Sequence, residues 1–160
     1  MTMNKKETYR QLAEQVRSLV DGVDNGVGAL ANVAALLKEQ LPYYFWVGFY
    51  IVRNGELQLG PFQGPVACYS IAKGRGVCGK AWADAQTLVV ADVHQFPGHI
   101  ACSSRSNSEI VVPVIRGNEV VAVIDVDSEQ FGAFDEEDKA GLEAIAEILE
   151  QDVTSCLNLI

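Results

Sequence analysis

The 160-residue chain has no apolar run approaching the ~20 residues that a membrane-spanning helix needs. It is also short of cations: 12 Lys and Arg stand against 21 Asp and Glu, a net charge of −9, and no basic stripe is present. Nucleic-acid affinity comes largely from counterion release by clustered cations, so a nucleic-acid partner is not expected. An anionic membrane surface is disfavoured for the same reason. The opening residues Met1 to Glu7 lack the apolar stretch and small-residue cleavage site of a secretory leader. The expected compartment is therefore cytoplasmic, where structural disulfides are rare. The four cysteines, Cys68, Cys78, Cys102 and Cys156, form no CxxC pair and no zinc-ligand repeat. In a reducing compartment they are either buried packing groups or reactive thiols.

No repeat, low-complexity tract or linker interrupts the chain, and its 49% apolar content excludes a disordered one. A single domain over residues 1–160 is expected, with N-terminal helices in 1–41, a sheet and active-site loops in 44–128, and a C-terminal helix over 135–158. Asn4 and Glu7 resemble a capping box ahead of Tyr9, Leu12, Val16 and Leu19 at helical spacing, with Gly22 as the break. A second helix is expected from near Asp24, with Val27, Leu30, Ala34, Leu37 and Leu41 on one stripe and Pro42 ending it. The acidic run Asp135 to Asp138 suits the positive end of a helix whose stripe is Leu142, Ile145, Leu149, Val153 and Cys156.

Strands are expected over Tyr44–Val52, Glu56–Leu59, Ala67–Ile71, Thr87–Ala91, Ile110–Ile115 and Val120–Val126, with a helical turn around Val77–Ala85. Asn54-Gly55 and Gly117-Asn118 mark hairpin turns. This order predicts an α+β fold. A mainly antiparallel central sheet carries the terminal helices on one face and loops with short helices on the other.

Alternation along the first strand puts Phe45, Val47, Phe49 and Ile51 on an apolar face, and Tyr44, Trp46, Gly48 and Tyr50 on the other. The second set suits either a cavity lining or a second core layer whose polar tips find partners. In the last strand Val121, Val123, Asp125 and Asp127 share one face, and Val120, Ala122, Ile124 and Val126 the other. Two aspartates on one face of an apolar strand can bind an ammonium group or supply a proton; the alternative is a solvated strand end. A simple two-residue turn at Gly117-Asn118 puts Glu109 opposite Val126, on the wrong face to join them. Because Pro113 interrupts the partner strand, a bulge or a three-residue loop is expected that brings Glu109 onto the carboxylate face.

The stretch from Asp92 to Ser108 is longer than a compact domain usually tolerates without a function. It holds both histidines and Cys102, with Arg105 nearby. A metal site of His94, His99 and Cys102 and a Cys–His hydrolase are both conceivable, although neither has its usual local signature. Redox chemistry at Cys102, its thiolate favoured by Arg105, is the third option. Cys156, on a helical stripe, reads as packing.

Several stretches carry a resemblance. They are Leu59-Gly60-Pro61-Phe62-Gln63-Gly64, Val66-Ala67-Cys68, Gly74-Arg75-Gly76-Val77-Cys78-Gly79, Phe96-Pro97-Gly98-His99-Ile100-Ala101-Cys102, Ser106-Asn107-Ser108-Glu109-Ile110-Val111-Val112-Pro113, Ile124-Asp125-Val126-Asp127-Ser128 and Phe134-Asp135. From about Tyr44 to the last helix the chain resembles the free methionine-(R)-sulfoxide reductase family. The resemblance implies a GAF-domain fold and a homodimer formed through the terminal helices. It further implies Cys102 as nucleophile, Cys68 as resolving thiol and Cys78 as an auxiliary or alternative partner. Trp46 and Tyr50 fall on the aromatic substrate pocket, and Glu109, Asp125 and Asp127 on its acidic side. The implied substrate is free methionine (R)-sulfoxide and the implied reductant a thioredoxin, with no metal or organic cofactor. The alternative within the same fold is a non-catalytic GAF sensor of a small ligand. Three residues depart from the family pattern: Ser103 where an acidic residue is expected, Lys80 and Trp82.

Overall fold

Helix α1 (Lys5–Val20) starts where the Asn4 side chain accepts a hydrogen bond from the Glu7 amide, and its Tyr9, Leu12, Val16 and Val20 are buried. The computed structural model describes residues 4–100 and 102–157. Helix α2 (Gly26–Gln40) begins two residues later than expected, at an Asn25 cap. Its buried stripe is Ala29, Leu30, Val33, Ala34 and Leu37, while Val27 is 52% exposed. After β1 (Trp46–Arg53) the Asn54-Gly55 turn leads into β2 (Glu56–Gln63). Then follow β3 (Ser70–Ala72), α3 (Gly76–Asp84), β4 (Leu88–Val90), β5 (Ser108–Arg116), β6 (Glu119–Ser128) and α4 (Glu136–Asp152). Helix α4 carries a full capping box between Asp135 and Asp138 and stops short of the expected residue 158; a 3-10 turn at Thr154–Cys156 follows. Among the described residues no helix is long and apolar enough to cross a membrane.

The six strands form one antiparallel sheet in the order β3-β2-β1-β6-β5-β4. Helices α2 and α4 pack on one face, with α1 against α4 and α2. On that face Val47, Phe49, Ile51, Ile110, Val112, Ile124 and Val126 join the helical stripes in the larger core. The opposite face carries a second apolar cluster, in which Trp46, Tyr50, Leu57, Val111 and Val123 meet α3 through Val77, Cys78, Ala81 and Trp82. The predicted two-faced α+β architecture is what folds.

The alternation holds inside β1 but not before it. Tyr44 and Phe45 precede the first ladder residue and exchange sides: Tyr44 enters the helix-side core and Phe45 the other cluster. The predicted irregularity between β5 and β6 is a bulge. Ile115 pairs with Val120, and Val114 with Ala122, so Val121 is the extra residue. It lies beside the Gly117-Asn118 turn rather than at Pro113, which pairs in register with Val123. The bulge also reverses the expected sides of its two valines: Val121 packs on the helix side and Val120 on the far side.

The two family departures in α3 have local partners. Lys80 forms an i,i+4 ion pair with Asp84 at 2.9 Å. Trp82 is buried, with the Lys73 ammonium 5.1 Å from its ring centroid.

Candidate active site

The bulge sets the register of the site. Beyond it Glu109 lies directly across from Asp127, which in turn lies across from Trp46 on β1. The next row down the same face is Val111, Asp125 and Gly48. Three carboxylates on neighbouring strands thus face one space, under α3 and the long loop. Together with Phe45, Trp46, Tyr50, Cys78 and Cys102 they line a cavity of about 50 Å³. Glu109 and Asp125 are each only 6% exposed, which rules out the solvated strand end.

Burying acids together is costly, and their proton affinities show it. Burial, followed by the charges of Asp125 and Asp127, holds Glu109 well above the usual carboxylate range. Asp127 is likewise pushed well up by burial and then by Asp125. Burial raises Asp125 too, but hydrogen bonds with Glu109 and Cys78 pull it partly back. All three carboxyls are thus biased toward the protonated form, and the cluster titrates as a unit. None of the ion pairs among the described residues reaches any of the three acids. The Oδ1 of Asp125 is buried with no hydrogen-bond partner. Such a site can hold an ammonium group, and it can deliver a proton.

The aromatic wall is organised around a missing side chain. A Cβ on Gly48 would lie 2.3 Å from the Cβ of Phe62 and 2.7 Å from the Trp46 ring. Glycine there lets Trp46 stack between Phe62, at 5.1 Å, and Tyr50, at 6.1 Å. Both polar tips reach the segment that carries Cys68. The Trp46 indole donates to the Pro65 carbonyl at 3.0 Å, and the Tyr50 hydroxyl donates to the Cys68 carbonyl at 3.0 Å. Cys68 lies in this loop rather than in the strand expected over Ala67–Ile71, since β3 begins at Ser70.

Cys68 and Cys102, 34 residues apart, are joined by a disulfide with their Cα atoms 5.6 Å apart. Cys102 is exposed at the cavity rim, whereas Cys78 is a free thiol buried below it, 3.9 Å from Oε2 of Glu109. Burial, then Asp125 and Glu109, push the Cys78 thiol well up, so it stays protonated. Cys156 is half-buried, with its sulfur 3.7 Å from the Val23 carbonyl, consistent with a packing role.

Two options that the residue types of the long loop leave open are not taken up. His94 bonds Asp92 at 2.8 Å, and no His94–His99–Cys102 cluster exists among the described residues. Arg105 is engaged elsewhere, paired with Glu129 at 2.9 Å and lying 4.6 Å from the Phe45 ring centroid. Ser103 accepts a hydrogen bond from the Arg105 amide and lines the cavity. His99 and Ile100 line it as well, as does Phe45, which simple alternation assigns to the wrong core. For Phe45 the available signal was its position just before the strand, where pleat parity is not yet set.

The six-stranded antiparallel sheet, with the long helices on one face and the pocket on the other, is that of a GAF domain, and the family model described as GAF domain matches residues 3–151. Relatives narrow the class. The chain is 46% identical over 149 residues to the free methionine-R-sulfoxide reductase of Escherichia coli, covering 93% of this chain and 90% of that protein. It is 51% identical over 148 residues to GAF domain-containing protein A of Dictyostelium discoideum, covering 92% and 93%. The crystal structure of free methionine-R-sulfoxide reductase from Neisseria meningitidis in complex with its substrate matches with a TM-score of 0.93 at 47% identity, over 98% of this chain and 94% of that one. The chain belongs to the free methionine-R-sulfoxide reductases, a family of oxidoreductases built on the GAF domain.

Proposed function

We propose that this protein reduces free L-methionine (R)-sulfoxide to methionine, with Cys102 as nucleophile and Cys68 as resolving thiol. The observation that carries the reading is the joining of these two cysteines at the rim of a cavity lined by Glu109, Asp125 and Asp127. Its relatives' activity supports the choice of substrate.

The chemistry follows from the groups present. The Cys102 thiolate attacks the sulfoxide sulfur while an acid of the cluster protonates the oxygen. Methionine leaves, and Cys102 keeps that oxygen as a sulfenic acid. The Cys68 thiol then displaces it as water and forms the disulfide. The two thiols of a thioredoxin return both cysteines to the thiol state and become a disulfide themselves. Glu109 and Asp127, both biased toward the protonated form by burial and their neighbours, are the proton donors in this reading. Asp125, with its unpartnered oxygen, receives the α-ammonium and so favours a free amino acid over a residue in a peptide. Trp46 packs on the S-methyl group, and Tyr50 tethers the Cys68 segment. Cys78 is buried, and burial with the neighbouring carboxylates pushes its thiol well up, so Cys68 rather than Cys78 resolves the sulfenic acid in this reading. No metal or organic cofactor takes part. The reading includes a cytoplasmic setting and a homodimer formed through the terminal helices, which light scattering of the purified protein tests. A non-catalytic sensor would use the same cavity but has no need of two thiols within bonding reach.

The test supplies racemic free methionine sulfoxide, thioredoxin, thioredoxin reductase and NADPH. The expected outcome is consumption of about half the sulfoxide, the R epimer, and none with Cys102→Ser. Turnover that persists in Cys102→Ser removes the nucleophile assignment.

A further inference from the structure

Among the described residues, one group of ligand-type side chains gathers at metal-binding range. The Sγ of Cys78 and one oxygen each of Glu109 and Asp125 lie within 4.8 Å of one another, and all three residues are buried. The Cys78 to Glu109 separation is 3.9 Å. A second observation points to a missing ligand. Asp125 is 6% exposed, yet its Oδ1 has no partner. Among the described residues no lysine or arginine is paired with any of these acids.

We propose that Cys78, Glu109 and Asp125 form a binding site for Zn²⁺, which displaces the protons on the Cys78 thiol and the carboxyls to solvent and occupies the cavity in place of the substrate ammonium. The donor set selects the metal. Ca²⁺ and Mg²⁺ require six or more oxygens or several retained waters, whereas one sulfur with two carboxylates suits a borderline ion. Zinc holds sulfur at about 2.3 Å and carboxylate oxygen at about 2.0–2.2 Å, which spaces tetrahedral ligands by roughly 3.4–3.6 Å. The ligand atoms, at most 4.8 Å apart, therefore need to close by roughly 1.2–1.4 Å at most. Water or Asp127, across the ladder from Glu109, completes the shell. Zinc is not a cofactor in this account: it excludes the substrate and makes the reductase reversibly sensitive to free zinc. This competition rests on the reading of Asp125 as the ammonium site; zinc binding itself does not.

The disulfide form provides a clean test, because Cys68 and Cys102 are then unavailable as ligands and only Cys78 and Cys156 remain as thiols. Zinc chloride is titrated into the oxidised protein against a chromophoric zinc indicator. One zinc per chain is expected. Cys78→Ser weakens binding by about 100-fold and Asp125→Asn by about 10-fold or more, while Cys156→Ser leaves it unchanged. Co²⁺ in the same protein gives a sulfur-to-metal charge-transfer band that disappears in Cys78→Ser. Free methionine (R)-sulfoxide raises the apparent Kd for zinc. Zinc held equally well by Cys78→Ser, or lost in Cys156→Ser, overturns the site, and Asp125→Asn decides the matter should Cys78→Ser fail to fold. Zinc bound at Cys78 but indifferent to the sulfoxide overturns the competition. Whether the sulfoxide is a substrate at all is answered separately by the turnover assay.

Discussion

The molecule buries carboxylates in two places and treats them in opposite ways. Asp138, at the start of α4, is fully buried, and donors saturate it. Oδ1 accepts from Tyr9 at 2.7 Å and from Tyr43; Oδ2 accepts from Lys5 at 2.7 Å and from the Asp135 amide at 2.8 Å. Space is tight as well, since a Cβ on the neighbouring Gly141 would lie 2.2 Å from the Tyr9 ring. On the other side of the sheet Glu109, Asp125 and Asp127 face one another, paired with no cation among the described residues, and the Oδ1 of Asp125 is left unpartnered. A buried charge that is fully bonded locks elements together, here α1, the segment before β1, and α4. A buried charge left unbonded costs stability, and an incoming ligand offsets that cost.

The contrast breaks most sharply by removing one carboxylate from each place. Asp125→Asn should lower kcat/KM by about 100-fold or more while leaving stability unchanged or improved. Asp138→Asn should leave kcat/KM near the parent value at temperatures where the protein stays folded, but cost about 3–5 kcal/mol in denaturant unfolding. If Asp125→Asn unfolds the protein as readily as Asp138→Asn, both clusters are structural and the proposed function loses its acid side.

A pH series sharpens the same point. The three active-site acids have proton affinities raised by folding, so the folded state binds more protons than the unfolded one. Stability then falls as pH rises from the unfolded carboxylate range, about 4, through the raised values. Removing one acid should recover part of that loss. Glu109→Gln is expected to raise the Tm at pH 7, with the gap closing near pH 4. Melts followed by circular dichroism, in chelator and at fixed disulfide state, measure it. A gap that widens on acidification would mean the acids are stabilised by partners.

How far these clusters were legible in the sequence depends on chain distance. Asp125 and Asp127 lie two apart in one strand, so their shared face follows from the pleat. Glu109 required a bulge, which Pro113 suggested but did not locate, since the extra residue is Val121. Nothing announced the Asp138 cluster. Its tyrosines come from positions 9, 43 and 44, and the Tyr43-Tyr44-Phe45 run has no set parity before the strand begins. The Cys68–Cys102 pairing was likewise not deducible from spacing and entered only through family resemblance, because it depends on where two loops settle. Arg105 shows the opposite error: closeness in sequence suggested a partner for Cys102, and Glu129, 24 residues away, holds it instead.

The tyrosines extend the comparison to a smaller effect. Tyr9 and Tyr43 bond the carboxylate beside them, and Tyr44 bonds Tyr9 at 2.7 Å. Tyr50, among three carboxylates, bonds none of them and donates to the Cys68 carbonyl. Removing its hydroxyl should therefore act on the movement of Cys68 rather than on the acids. A neutral hydrogen bond contributes about 1 kcal/mol, so Tyr50→Phe, which keeps the stack on Trp46, should change the rate of disulfide formation by about five-fold. Methionine release in a single turnover, which precedes that step, should stay near the parent rate. Rapid-quench measurement of methionine, alongside thiol loss in the same samples, separates the two. If thiol loss keeps its rate and the KM for the sulfoxide rises instead, the Tyr50 hydroxyl belongs to the substrate, and the Cys68 loop is held by the Trp46 bond to Pro65 alone.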